Sequence, residues 1–171
     1  MSSILKVDQI QLANGSTPTA GDLGLNIGGS VVQFASSLKE TQHLTSSTAW
    51  SDVSSWSINF TPKYANSTIR VTTSFIAFGE QGWAGANIRL VVDGVVEGGP
   101  RQVVRYDMQA NRTQYLYERH AGSQDWVFSS WGISQKTIVV QLQEANGNSQ
   151  SAGINGGVDD EHYMIIQEIA G

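Results

Sequence analysis

Apolar and polar residues alternate with a period of two along most of this chain. The longest such run begins at Thr68. Ile69, Val71, Thr73, Phe75 and Ala77 fall on one face, and Arg70, Thr72, Ser74, Ile76 and Phe78 on the other. Successive strand side chains point to opposite faces, so the alternation predicts a strand with one face in a core. The second face begins polar and ends apolar, which predicts a strand solvated at one end and covered at the other. A Thr61-Pro62 break and a turn at Asn66-Ser67 lead into it.

The same pattern predicts strands over residues 31–34, 53–60, 88–92, 102–108, 113–119, 126–131, 136–144 and 162–170. Residues 38–44 continue the first or pair with it. Asp93-Gly94 sits between β-branched residues and is the strongest local hairpin signal. Residues 97–100 read as a second turn. Residues 46–51, 79–86 and 145–160 read as loops rich in Ser, Thr, Gly or Asn. About eight to ten strands at a spacing of roughly ten residues, with no convincing helix, predict an all-β antiparallel sandwich or barrel. No fixed-period repeat points to a propeller or solenoid.

Before these strands, residues 1–30 alternate weakly and then fill with turn residues, among them Asn14-Gly15, Pro18 and Gly28-Gly29. They are too thin to fold alone, yet Ile4, Leu5, Val7, Ile10 and Leu12 are more apolar than a disordered tail usually carries. The expectation is an N-terminal docking arm over residues 1–30 and one β domain over residues 31–171.

Composition sharpens this picture. The chain has 171 residues, 15% of them charged, and a formal net charge of −5. Ser, Thr, Asn and Gln supply the polarity instead, which suits β surfaces and shared subunit faces. The acidic balance argues against a nucleic-acid partner. No apolar run approaches the roughly 20 residues of a spanning helix, so no membrane insertion is expected. There is no Cys, which removes disulfides and thiolate metal sites. The first residues lack the apolar core of a signal peptide, so synthesis in a cytosol is expected.

Several short motifs recur in a set order: Val31-Val32-Gln33, Thr45-Ser46-Ser47-Thr48, Thr61-Pro62, Ser67-Thr68-Ile69-Arg70-Val71, Arg89-Leu90-Val91-Val92-Asp93-Gly94 and Gln167-Glu168-Ile169-Ala170. In that order, over residues 31–171, they resemble small virion proteins of tailed bacteriophages, in particular those of marine cyanobacteria. Residues 5–11 and the Gly-rich sequence after them resemble the leader of such domains. Residues 115–131 depart most from the pattern. The resemblance implies a jelly-roll-like β-sandwich that assembles as a homotrimer on the virion, as a tail fibre facing a host receptor. The arm would attach to other virion proteins of the tail or capsid through Ile4, Leu5, Val7, Ile10 and Leu12. Alternatives left open are a capsid decoration or head fibre, a tail connector, and a free lectin-like sugar-binding module.

No constellation of catalytic residues stands out. There is no Gly-x-Ser-x-Gly, His-Glu-x-x-His or phosphate-cradling loop. His120 and Asp125 are close in sequence only, and no pair of acids is singled out as a glycosidase needs. The chain is therefore not expected to be an enzyme or to carry a cofactor. Asp159-Asp160-Glu161-His162 is the densest metal-capable cluster, but it lacks the spacing of a calcium loop and reads as a solvated acidic turn. Four matches to the glycosylation sequon are read as chance. Aromatic side chains stack on sugars and anchor interfaces. On that ground Trp83, Trp126, Tyr115 and Tyr117 are the candidate contacts with a host surface glycan or protein, with Trp83 in its Gly loop foremost.

Overall fold

In the computed structural model, the described residues are 11, 13–17, 28–39, 42–79, 85–104, 118–129, 131–147, 151–154 and 162–171. They form β1 (Val31–Lys39), β2 (His43–Thr45), β3 (Ser51–Phe60), β4 (Thr68–Gly79), β5 (Ala86–Val92), β6 (Val95–Val104), β7 (Glu118–Ser129), β8 (Lys136–Glu144), β9 (Ala152–Ile154) and β10 (His162–Ile169). No helix occurs among them. The protein is an all-β sandwich of two antiparallel sheets.

Sheet A is organised by β4. One edge of β4 pairs with β7 over its whole length, from Thr68↔Ser129 to Gly79↔Glu118. The other edge is shared. Residues Thr68 to Ser74 pair with β10, and Ala77 to Gly79 pair with β9. β1 lies beyond β10, and β2 beyond β9. Six strands thus occupy four positions. Sheet B has the order β3-β8-β5-β6. Apart from the β5–β6 hairpin, and the split pairs β1/β2 and β9/β10, each strand is followed by one in the opposite sheet.

Between the sheets lies the core. Ile69, Val71, Thr73, Phe75 and Ala77 of β4 are all buried, as the alternation predicts. They meet Trp56 and Phe60 of β3, Ile88 and Leu90 of β5, Ile138, Val140 and Leu142 of β8, and Met164 and Ile166 of β10. The expected change of character on the second face of β4 also has a cause. Phe78, Gly153 and Leu44 are in register across β4, β9 and β2. A side chain at Gly153 would strike Phe78 and Leu44, at 2.7 and 2.8 Å. The glycine lets these two side chains close over β9, and Phe78 is left 3% exposed.

The hairpin at Asp93-Gly94 forms with φ of 50° and 81°, the two positive values of a tight two-residue turn. Asp93 Oδ1 also accepts from Thr137 N at 2.8 Å, and its carboxylate meets Lys136 at 3.1 Å. The turn expected over residues 97–100 is not there: β6 continues through Gly98, Gly99 and Pro100, with a register shift against β5 on each side of the Leu90↔Gly98 pair. β6 is an edge strand, where a proline's missing N–H costs no ladder bond. Gly98 is required because the Trp126 ring lies where its Cβ would be, 2.4 Å away. Likewise the strand expected over residues 126–131 begins earlier, as part of β7. β9 interrupts the loop expected over residues 145–160. The strand expected over 113–119 lies largely outside the described residues.

Candidate functional surfaces

Most of the residues singled out from the sequence fall outside the described set. Trp83, Tyr115, Tyr117 and the arm residues Ile4, Leu5, Val7, Ile10 and Leu12 all do, as do Asp159, Asp160 and Glu161. Trp126 is described. It is on the inner face of β7, 6% exposed, packed over Gly98 and Leu90. Its ring area is committed to the core, leaving little for a receptor. His162 is also inside, 1% exposed, and its Nδ1 accepts the Ile76 N–H at 3.1 Å. That bond fills the gap where β4 changes partner from β10 to β9. Asp125 does not serve a histidine: it accepts from Arg70 Nη2 at 2.6 Å and from Thr72 Oγ1 at 2.5 Å on the outer face of sheet A.

The outer face of sheet A has two halves. Cross-strand register places Val31 beside Ile169, Phe34 beside Gln167, Ser36 beside Ile165 and Leu38 beside Tyr163. Phe34 is 71% exposed, Leu38 51%, Val31 50% and Tyr163 41%. Together they show on the order of 400 Å² of apolar surface, the size at which a patch on a monomer is often functional. The β4 and β7 half is mostly polar, with Thr68, Arg70, Thr72, Ser74, Ser123 and Asp125, although Val127 beside Arg70 is 64% exposed. The hydrogen bond from Arg70, then that from Thr72, holds the Asp125 carboxyl below its ordinary range, and Asp125 in turn raises Arg70.

The outer face of sheet B is different. Asp52 on β3, Gln141 on β8 and Arg89 on β5 lie in one register row. Gln141 donates from Nε2 to Asp52 Oδ1 and accepts at Oε1 from Arg89 Nε, each at 2.7 Å. The Arg89 guanidinium lies 4.3 Å from the centre of the Trp50 ring, a cation–π distance. Asn87 and Gln143 form the next row. This end of the sheet is tied down from within. Glu144 is fully buried and accepts from Gly85 N at 3.3 Å, Asn146 N at 2.7 Å and Gly147 N. Glu144 N donates to Ser47 O, and Ala145 N to Gly85 O. One buried carboxylate thus fastens two loop ends beside the row, and the backbone N–H of the same residue holds a third at Ser47. The sequence does not announce the row, because each member is an ordinary polar residue on a strand and only the register of β3, β8 and β5 brings them together.

At the other end of the sandwich, Glu168 plays the matching part. It is buried, and its carboxylate accepts from Lys63 N and Tyr64 N at 2.8 to 2.9 Å. A half-open pocket of ≈ 260 Å³ lies nearby, lined by Tyr64, Ala65, Asn66, Ser67, Ala170 and Gly171. It has no acidic or imidazole side chain. Among the described residues, no group of three or more His, Asp or Glu is placed to hold a metal.

No family model matches the chain, and no curated protein matches it. Among solved structures it is similar to part of the dimeric latent PorU from Porphyromonas gingivalis, with a TM-score of 0.41 and 11% identity. The likeness covers 84% of this chain and 14% of the PorU chain.

Proposed function

We propose that the chain is a structural protein of a tailed-phage virion: a short trimeric fibre that attaches through residues 1–30 and displays a jelly-roll domain to a host receptor. The observation that carries this reading is the apolar half of the outer face of sheet A. Phe34, Leu38, Val31 and Tyr163 are turned away from the protomer's own core and are solvated in a single copy. A standard interface takes about 800 Å² from each partner, with an apolar centre and a polar rim. The β1–β10 patch has the character of such a centre, and the hydroxyls and the Arg70–Asp125 pair of β4 and β7 that of the rim. Sister copies packed there would cover it.

The strand order supports the jelly-roll part of the reading. Successive strands cross between sheets, the first and last strands pair, and the two sheets each have four strand positions, the arrangement of two interlocked Greek keys. A trimer presents each binding surface three times, and several trimers on one particle raise avidity by orders of magnitude without a strong single site.

Size-exclusion chromatography with light scattering tests the assembly. A mass three times that of the 18.5 kDa chain at micromolar concentration is the expected result, and a monomer there counts against the proposal. Images of the particle decide the setting: density at the tail supports a fibre, and density on the head shell favours a capsid decoration.

A further inference from the structure

We infer that the Asp52–Gln141–Arg89 row on the outer face of sheet B is a binding site for a saccharide bearing a carboxylate. This rests on the reading of the domain as a displayed binder, whose receptor class it names. Three observations converge on the row. Arg89 is a cation with no carboxylate partner among the described residues, in a chain of net charge −5. Among the described residues only its Nε is hydrogen-bonded, to Gln141, so both terminal nitrogens keep their N–H groups for a ligand. Trp50 beneath it and Gln141 beside it fix the plane of the guanidinium before any ligand arrives, and less freedom is lost on binding.

The chemistry of the ligand follows from the two ends of the row. A guanidinium presenting a free planar edge matches a carboxylate through two parallel hydrogen bonds. At the other end Asp52 is exposed, and its Oδ2 has no partner among the described residues. It is an acceptor for a hydroxyl and repels a second anion. β3 and β5 are separated by β8, two strand spacings or roughly 10 Å, about the length of one to two pyranose rings. A ligand with one carboxylate and hydroxyls at that distance satisfies both ends, as a uronic acid within a glycan does. Gln141 saturates its own amide between the two and works as a positioning residue. Glu144 holds the neighbouring loop ends at Gly85, Asn146 and Gly147.

Calorimetry on the full-length assembled protein tests this with oligogalacturonate, its fully methyl-esterified form and a neutral galactose oligosaccharide. The expected result is binding of oligogalacturonate and at least about tenfold weaker binding of the other two. Arg89→Lys keeps the charge but loses the fork and the stack, and is expected to weaken oligogalacturonate at least about tenfold while the melting temperature stays close to the wild type. Arg89→Gln is expected to abolish binding. Should its melt reveal an unfolded chain, Arg89→Lys alone decides. Equal binding of the acid and its ester, wild-type affinity in folded Arg89→Lys, or no binding of oligogalacturonate overturns the inference. A trimer that ignores oligogalacturonate defeats only this inference, and a monomer that binds it defeats only the trimeric fibre.

Discussion

The two outer faces of the sandwich are built from the same backbone geometry and do opposite things with it. On sheet A, the pairing of β1 with β10 collects Phe34, Leu38, Val31, Ile165, Ile169 and Tyr163 into an apolar field. On sheet B, the pairing of β3, β8 and β5 collects Asp52, Gln141, Arg89, Asn87 and Gln143 into polar rows. Apolar residues there draw together toward the hairpin, where Val91 pairs with Val96 and Val139. Water is a good environment for the second face and a poor one for the first. A chain that is only 15% charged thus leaves its largest exposed apolar field on the β1–β10 half of sheet A. The proposed function divides along the same line: sheet A for assembly, sheet B for display.

The sharpest way to break this division is to place a charge on each face. Phe34→Asp puts a carboxylate in the middle of the apolar half of sheet A. The expected result is conversion of the proposed trimer to monomer at micromolar concentration, a loss of at least about 3 kcal/mol of association, in the range of an interface hot spot. Thr137→Asp, on the exposed outer side of β8, is expected to leave the mass unchanged. Light scattering on both variants reads the outcome, and equal behaviour removes the distinction between the faces.

Next in size are the two buried carboxylates, one on each sheet. Glu144 and Glu168 each take backbone N–H groups on both oxygens. Glutamine keeps the shape but replaces one acceptor oxygen with an amide donor facing an N–H. Glu144→Gln and Glu168→Gln are each expected to cost about 2–3 kcal/mol, read from urea unfolding midpoints. Only Glu144→Gln is expected also to weaken ligand binding on sheet B, since its loops flank the row. A smaller effect separates neighbours on β6. Gly98→Ala drives a methyl into the Trp126 ring and Leu90, costing about 1–3 kcal/mol. Gly99→Ala meets no atom within 4 Å and is expected to be close to neutral.

Much of this fold is legible in the sequence, for a definite reason. Strands β4, β5, β8 and β10 alternate cleanly because their inner faces are mostly apolar, with polar exceptions at Thr73 and, near strand ends, at Glu144, His162 and Glu168, so the period of two survives in one dimension. Asp93-Gly94 is legible because only two left-handed residues fit that turn. Other features depend on what lies across the core. Gly98-Gly99-Pro100 reads as a turn until Trp126 is seen to need the missing side chain and β6 is seen to be an edge. β9 has only Ala152, Gly153 and Ile154, too few for a pattern, and it owes its existence to the stretch of β4 that β10 leaves unpaired. The surfaces are less legible still. Aromatic content draws attention to Trp126, which is interior. Trp50, Arg89, Gln141 and Asp52 are brought together by register alone, which one-dimensional alternation does not encode.

The smallest expected effect is also the one that best tests whether sheet A is covered. Arg70 and Asp125 are paired across β4 and β7 with side chains 44% and 42% exposed, and solvent screening leaves an exposed pair of this kind a small contribution. Its pH dependence has a fixed sign. The folded Asp125 carboxyl is held below its ordinary value, so the unfolded chain binds the proton more readily. The stabilisation is therefore complete above the ordinary carboxylate pKa of about 3.9 and is lost as the pH falls through the folded value. Asp125→Asn is expected to flatten that acid limb slightly in the Phe34→Asp monomer, where the pair is washed by solvent. In the proposed wild-type trimer the same substitution is expected to flatten it more, because burial at the rim of an interface raises the worth of a pair whose hydrogen bonds stay intact. Unfolding midpoints measured from pH 6 down to about pH 2 in both backgrounds give the comparison, and an identical effect in the two means that this half of sheet A faces water in the assembly as well.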